Sequence, residues 1–268
     1  MKLATKTALT AALFSLAVGT GAAHAAPMGG IPGGDFESGF ASGGTEPLAS
    51  FYDNDSNLIG QWNWAASANA SSTIVTRNDS KVLRLWQEWQ PRSAHAWFTA
   101  STAYATPTDS PWEIGADLAY QRTSGNGANK AFRLRSGDQN STVLFQMRFN
   151  FQGIWYATPG QAEVLVAKPV GSPANWSALT VDMKRAAFHY DPITGAASGY
   201  FDGQEVFNVT TTTGLSVRNV QFSHYTGGDW DPGQFFVDNV YAVPEPASMA
   251  LLGLGSVLML ARRRRQMA

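Results

Sequence analysis

Short runs of alternating apolar and polar residues are the feature of this chain that most constrains its fold. In the run 143–150, Val143, Phe145, Met147 and Phe149 alternate with polar side chains, and the runs 131–135 and 179–183 show the same alternation. Apolar residues at every second position are typical of a β-strand with one buried face. The pattern therefore predicts a β-rich domain.

Clusters of turn-forming residues separate these runs. They occupy positions 124–127, 136–138, 191–195, 202–203 and 226–229 and are rich in Gly, Asn, Asp and Pro. Gly and Asn tolerate positive φ angles, and Pro presets the first bend of a turn. Long amphipathic helical patterns do not stand out between the runs. Many short strands with such punctuation predict an all-β, antiparallel jelly-roll β-sandwich over residues 35–242.

The N-terminal segment has the organisation of a secretory signal peptide. Lys2 and Lys6 precede an apolar stretch at 8–18, and Ala23-His24-Ala25 forms a small-x-small cleavage signal. We expect the Sec machinery to export the chain and signal peptidase to remove residues 1–25. The Gly- and Pro-containing residues 26–34 are then expected to form a flexible entry to the domain.

The C-terminal segment 243–268 contains a short motif, an apolar run and a basic end. Residues 247–261 carry no charge and would span about 22 Å as a helix, whereas a bilayer core is about 30 Å thick. Local bilayer thinning or snorkelling of the four arginines would close the difference. A buried core helix is the alternative, but it would place four charges beside the core. We therefore predict a transmembrane helix, with Arg262, Arg263, Arg264 and Arg265 on the cytoplasmic side.

The motif that precedes this helix, Pro244, Glu245 and Pro246, completes a recognisable tail. Motif, apolar helix and Arg-rich end together resemble the PEP-CTERM sorting signal of Gram-negative bacteria that secrete exopolysaccharide. The resemblance implies that an exosortase, a membrane-embedded transpeptidase, recognises Pro-Glu-Pro and removes the helix. It implies an inner-membrane-anchored precursor, followed by release to the cell surface or extracellular matrix.

Two short segments near the ends of the domain resemble bacterial carbohydrate-binding jelly rolls. They are residues 34–39 and 236–240; in addition, residues 200–203 resemble the Asp-Gly hairpin of laminin-G-type sandwiches. Both concanavalin-A-like and galactose-binding-like topologies fit these segments. A structural calcium ion often lies near the paired first and last strands of such modules. The resemblance makes Glu37 and Asp238 the candidate ligands.

Composition limits the classes of function. The chain contains no cysteine, which excludes disulfide support and thiolate chemistry. Residues 27–246 hold thirteen Lys and Arg against twenty Asp and Glu, a formal net charge of −7. An acidic domain is a poor binder of polyanions, so we do not expect nucleic acid as a partner. Cations and neutral glycans would be tolerated.

A second candidate calcium site lies in the loop 53–57. Asp53 and Asp55 provide carboxylates at alternate positions, as at the start of a calcium-binding loop. The pattern then fails, because Leu58 stands where Gly is required and Trp64 where the bidentate Glu belongs. The alternative is a polar loop whose side chains cap its own backbone.

The nine tryptophans include the candidate ligand-binding residues. Trp62 and Trp64 share one strand face, and Trp230 lies between Asp229 and Asp231 in a Gly-rich stretch. Exposed aromatic rings can stack on sugars, but a cysteine-free sandwich also needs large side chains to fill its core. Core packing and ligand binding therefore both remain open.

Catalytic patterns are weak. No Gly-x-Ser-x-Gly elbow occurs, and Glu113 and Asp117 lack the third carboxylate of sandwich-fold β-glucanases. His95, His189 and His224 do not have metal-ligand spacing. We expect an exported, non-enzymatic surface or matrix protein associated with exopolysaccharide. The alternatives are a lectin-like carbohydrate-binding module, with or without calcium, and an unrecognised polysaccharide-active enzyme.

Overall fold

Two antiparallel sheets form the molecule. The computed structural model describes residues 31–32, 34–37, 49–52, 55–67, 70–87, 93–122, 129–150, 153–166, 182–225 and 233–244. One sheet has eight strands in the order β1 (Ala49–Tyr52), β2 (Leu58–Ala66), β5 (Ser93–Ala100), β14 (Asn219–Tyr225), β7 (Asn129–Arg135), β8 (Val143–Asn150), β9 (Gly153–Ala157) and β10 (Val164–Val166). The other has seven, in the order β13 (Gln204–Thr210), β12 (Ala196–Phe201), β11 (Lys184–Tyr190), β6 (Trp112–Arg122), β15 (Gly233–Pro244), β4 (Ser80–Gln87) and β3 (Ala70–Arg77).

The chain crosses repeatedly from one sheet to the other. β4, β5, β6 and β7 belong alternately to the seven- and eight-stranded sheets, and every pairing is antiparallel. A 3₁₀ turn at Thr102–Tyr104 lies between β5 and β6. The all-β, antiparallel jelly-roll sandwich predicted from the alternation is confirmed.

Aromatic side chains from both sheets fill the space between them. The ring of Phe132 on β7 lies 5.0 Å from Phe222 in its own sheet and 4.9 Å from Phe188 in the opposite sheet. Trp112 contacts Phe145 and Tyr190 in the same way. Because the chain has no disulfides, this aromatic packing is a main source of cohesion between the sheets.

The entry segment is packed more firmly than its composition suggests. Ile31 is buried, and the carbonyl of Pro32 accepts a 2.9 Å hydrogen bond from the Trp62 indole. Gly34 accepts a 2.9 Å bond from the amide of Val240 on the last strand. The described residues between 31 and 34 therefore belong to the folded body rather than to a flexible entry.

The last strand continues past the expected domain boundary at residue 242. Val243 pairs with Glu113 and Pro244 pairs with Trp112, so the first residue of the Pro-Glu-Pro motif ends a strand in the middle of a sheet. The pairing of β15 with β4 covers only Gly233 to Val237, so at Pro244 the strand pairing within the described residues is with β6 alone. Such an edge-like position suits a residue with no amide hydrogen.

The helix expected at 247–261, together with Glu245, Pro246 and the arginine cluster, lies outside the described residues. None of the helical structure within the described ranges has the length and apolar character needed to cross a bilayer.

Candidate functional site

The outer face of the eight-stranded sheet carries a continuous group of polar and aromatic side chains. On its central strands, residues such as Phe98, Phe132 and Phe222 point into the core, so the alternate residues point to the opposite side. We call this surface the arginine face. It consists of His95, Trp97, Asn129, Arg133, Arg135, Gln146, Arg148, Asn150, Trp155, Gln221, Ser223 and Tyr225, with Glu163 at its border.

Strand register aligns these side chains in rows. One row runs from Trp97 through Gln221 and Arg133 to Gln146. The next row contains His95, Ser223, Ala131, Arg148 and Trp155 in the same strand order. Neighbouring strands are about 4.8 Å apart, so a row across five strands spans roughly 19 Å.

Arg133 is the centre of the hydrogen-bond network on this face. Its guanidinium donates to Ser223 Oγ at 2.9 Å, to the Tyr225 hydroxyl at 3.3 Å and to Gln146 Oε1. The guanidinium also lies over the Tyr225 ring, 5.3 Å from its centre. These contacts hold the side chain in one orientation, and each terminal nitrogen keeps one further N–H donor.

Arg148 forms the second half of the network. It makes a salt bridge to Glu163 at 2.5 Å and donates to Asn129 Oδ1 at 2.8 Å. Its guanidinium stacks 4.6 Å from the centre of the Trp155 ring, and the Trp155 indole donates to Asn150 Oδ1 at 3.3 Å. The tryptophan is therefore held by Arg148 over its ring and by Asn150 at its indole N–H, and it remains half-buried.

The arginine face is locally basic although the exported domain is acidic. Glu163 forms a salt bridge with Arg148. Arg133 and Arg135 feel the charges of Glu163 and Asp138, respectively, but form no salt bridge to any residue that the structure describes. Burial lowers the pKa of both guanidinium groups, but both stay charged at neutral pH. An anionic group that reached them would gain two partly desolvated counterions.

His95 is held in its neutral form beside these charges. Burial, followed by the positive charges of Arg133 and Arg135, lowers its pKa to about 4. Ser223 Oγ lies 2.9 Å from His95 Nδ1 and accepts from Arg133. The serine proton is then free to be donated to Nδ1, which requires the hydrogen of the imidazole to sit on Nε2.

The tryptophans proposed from the sequence as ligand-binding residues occupy other positions. Trp62 is completely buried between Phe36 and Phe98, so its ring faces are not available to a ligand, and that part of the prediction is wrong. Trp64 lies on the same side of β2 and packs against the core. Trp230, Asp229 and Asp231 lie outside the described residues, between β14 and β15.

Asp238, one of the two candidate calcium ligands, is a buried carboxylate on the last strand. It is 7% exposed and accepts a 2.8 Å hydrogen bond from the amide of Asn239. Burial raises its pKa to about 6, and the charges of Asp117, Glu37 and Asp35 add to this effect. Asp238 is therefore a buried carboxylate in a field of negative charge, which a cation would offset.

Glu37, the other candidate, already has partners. Its Oε1 accepts hydrogen bonds of 2.7 Å from Ser80 Oγ and from the amide of Lys81, which ties the entry segment to the β3–β4 hairpin. These bonds lower the pKa of Glu37. Within the described ranges, no three acidic or histidine side chains form a group that could hold a metal ion.

The loop predicted as a second calcium site is only partly described. Asp53 lies outside the described residues, and Asp55 lies exposed in the turn between β1 and β2. The turn has the position expected of a connecting loop, and the prediction of calcium there stays a prediction.

Glu113 and Asp117 project from β6 on the outer face of the seven-stranded sheet. Glu113 accepts a hydrogen bond from the Tyr241 hydroxyl and lies 3.1 Å from His189 Nε2. Asp117 pairs with Arg185 at 2.5 Å. Both carboxylates are thus engaged in cross-strand contacts, which is the ordinary role of charged pairs on a sheet surface.

Sequence reasoning missed most of the arginine face. The alternation in β7 and β8 did place Arg133, Arg135, Gln146 and Arg148 opposite the apolar residues. Their neighbours Ser223, Tyr225 and His95 come from strands remote in sequence. Only the pairing of β14 with β5 on one side and with β7 on the other brings these three side chains next to the arginines.

Comparison with known proteins identifies the C-terminal segment. Residues 242–265 match the PEP-CTERM protein-sorting motif, which confirms the resemblance seen in the sequence. No curated protein sequence matches the chain.

Several solved structures are similar in overall arrangement. A sialidase aligns with 77% of this chain at 12% identity and a TM-score of 0.49, and this chain spans 19% of the sialidase. The carbohydrate recognition domain of Emp46p, in its potassium-bound form, has 9% identity and a TM-score of 0.45 over 68% of this chain and 88% of its own. The cellulose-induced protein Cip1 has 13% identity and a TM-score of 0.48 over 78% and 95%. The sheet topology and the family match together make this chain an all-β sandwich that carries a PEP-CTERM sorting motif at its C-terminal end, the mark of an exported protein.

Proposed function

We propose that this protein is an exported, non-enzymatic polysaccharide-binding protein of the cell surface or extracellular matrix. The sorting tail holds the precursor in the inner membrane of a Gram-negative bacterium, and an exosortase then releases the folded domain. The arginine face binds the exopolysaccharide of the producing cell. The single observation that supports this binding is the fixed array of guanidinium groups, amides and aromatic rings across five strands.

The chemistry of the face favours a polysaccharide with carboxylate groups. Arg133 and Arg135 lack a salt bridge among the described residues and would pair with uronic-acid carboxylates. Trp155 and Tyr225 provide ring surface, while Asn and Gln side chains can bond to hydroxyl groups. The sequence-based expectation of neutral glycans came from the net charge, which conceals this local positive surface.

Binding can be tested by isothermal titration of the exported protein with the polysaccharide of its own cell, a uronic-acid polymer and a neutral glucan. We expect binding to the two acidic polymers, weakened by salt because exposed charges are screened. Arg133→Gln should weaken it at least tenfold. Lys184→Gln is the matched control, since it removes the same charge from the opposite sheet, where Lys184 pairs with Asp202 at 3.1 Å.

Two results would contradict the proposal. Equal losses in the two variants would mean that only net charge matters, and an absence of binding to every polymer would remove the function. Circular dichroism of both variants shows whether the sandwich is intact. Trp155→Ala provides a second test, because it removes ring surface from the face without changing its charge.

Structural calcium belongs to the proposal as a stabilising cofactor. Asp238 and Glu37 are the side chains that would hold it; the pKa of Asp238 is raised by burial and by neighbouring charges that include Glu37. The ion would neutralise these carboxylates and add to the hydrogen bond that joins the entry segment to the last strand. A rise in melting temperature on adding calcium, reversed by a chelator, would support this role.

A further inference from the structure

The end of the sandwich from which the sorting tail leaves is defined by strand register. Pro244 on β15 is level with Trp112 on β6, and Trp112 is level with Tyr190 on β11. Both β15 and β11 are antiparallel to β6, so they run in the same direction. The sorting tail and the turn after Tyr190 therefore leave the sheet at the same end.

That turn presents an apolar side chain to solvent. Ile193 is 65% exposed, more than any other large hydrophobic residue that the structure describes. The turn is fixed, because the Asp191 carboxylate accepts from the Ile193 amide at 2.9 Å and from Thr194 Oγ1 at 2.6 Å. The amide of Gly214 also donates to the carbonyl of Pro192 at 2.8 Å.

The distance from the sheet to the apolar tail segment is short. Only Glu245 and Pro246 separate Pro244 from Ala247, where the apolar run begins. Three extended residues span at most about 11 Å. Ile193 lies three residues beyond Tyr190, and two strand spacings, roughly 10 Å, separate β11 from β15. The turn and Pro244, where the tail leaves the sheet, are therefore at the same end of the domain, and the apolar run begins three residues after Pro244.

We propose that, in the membrane-held precursor, this end of the sandwich rests directly on the lipid surface, with the Ile193 side chain in the headgroup–acyl boundary. The inference rests on the proposed insertion of residues 247–261 into the membrane. A tether this short leaves no space for the domain to turn away from the bilayer. A rigid, exposed isoleucine at that position suits an interface where apolar groups are favoured.

The absence of cysteine from the chain allows a direct test. The full-length chain is prepared as Ile193→Cys or Gln204→Cys, each labelled with the environment-sensitive dye NBD. Both are reconstituted in phosphatidylethanolamine–phosphatidylglycerol vesicles, with or without a nitroxide quencher near the lipid headgroups. Gln204 is the exposed control. It pairs with Phe201, Phe201 pairs with Ala186, and Ala186 pairs with Ala116 on β6. Ala116 lies four residues along β6 from Trp112, so Gln204 is farther from the end at which the tail leaves.

The expected result is at least twofold quenching of the dye at 193 and less than 1.2-fold quenching at 204. Vesicle flotation shows separately whether the tail anchors the protein in the membrane. Protein that floats but shows equal, weak quenching at both positions would overturn the contact of Ile193 with lipid and leave the membrane anchor intact. Protein that does not float would overturn both the membrane anchor and the contact of Ile193 with lipid. Both positions are exposed, so neither substitution disturbs the core.

Discussion

At the residue scale, Asp238 combines burial with the repulsion of other negative charges. Its pKa is about 6 in the folded protein against 3.8 when exposed. The folded state therefore binds the proton more tightly, so this carboxyl favours folding below pH 4 and that benefit disappears as the pH rises through 6. Above pH 6 the ionised group destabilises the fold.

Asp238→Asn should consequently stabilise the protein at pH 7.5 in chelator, by about 1–2 kcal/mol after solvent screening, and have little effect at pH 4. Urea unfolding at the two pH values measures this difference. Asp109→Asn removes the same charge from an exposed position and serves as the control. If Asp238→Asn lowered the free energy of unfolding in chelator at pH 7.5, the ionised carboxylate would not be destabilising. If the substitution raised the free energy of unfolding in chelator but not in calcium, Asp238 would be identified as a calcium ligand.

The sequence did not distinguish tryptophans that pack in the core from tryptophans that could bind a ligand. Gln61 and Asn63 flank Trp62, so the alternation already placed Trp62 and Trp64 together on one side of a strand. It did not say which side faced the core. That choice is fixed by the opposite sheet and by the entry segment, whose Phe36 lies against Trp62.

At the element scale, the entry segment is held by a close backbone approach. A Cβ atom on Gly34 would lie 2.1 Å from the carbonyl oxygen of Val240 and 2.9 Å from that of Ile31. Both neighbours are backbone atoms and cannot rotate away. Gly34→Ala should destabilise the sandwich by about 1–3 kcal/mol in chemical denaturation.

The matched control is Gly137→Ala, whose Cβ would meet only the Ser141 side chain, at 3.1 Å. We expect that change to cost clearly less. Equal stability of the two variants would mean that the entry segment does not contribute to the fold. Its composition, rich in Gly and Pro, predicted a flexible segment because the contacts that fix it come from strands outside the segment. Trp62 donates to the carbonyl of Pro32, and Val240 on the last strand donates to the carbonyl of Gly34.

Strands and hairpins were the elements that the sequence predicted best. The Asp202–Gly203 turn joins β12 and β13, with φ angles of 51° and 76° at its two residues, as an Asp-Gly hairpin requires. Local alternation and turn chemistry are sufficient for such features. Sheet order is set by contacts between remote strands, so the alternation did not predict the position of β14 between β5 and β7.

At the scale of the whole molecule, the sorting motif begins inside the folded domain. Pro244 ends β15, and the match to the sorting signal starts at residue 242. Glu245→Ala should leave the precursor unprocessed, because it changes the motif but not the strand. Mass spectrometry of exported protein checks this: we expect fragments lacking residues 247–268 from the unaltered chain and an intact tail from the variant. An intact tail in both would contradict exosortase release.

The net charge of the domain gave the wrong indication of which polymers its surface can bind. A formal charge of −7 over residues 27–246 suggested a surface that repels polyanions. The folded structure instead gathers three arginines on one face and places Glu113 and Asp117 on the opposite sheet. The alternation of side chains along each strand and the order of strands in each sheet decide which face carries a charged residue. Composition alone therefore does not predict a local charge.

Hydroxyl-radical footprinting of the exported protein, with and without its own polysaccharide, shows whether the arginine face is the binding surface. We expect the polysaccharide to protect Trp97, Trp155 and Tyr225 on the arginine face and to leave Tyr200 on the seven-stranded sheet unchanged. Protection of Tyr200 instead, or protection confined to residues 226–232, would contradict this expectation.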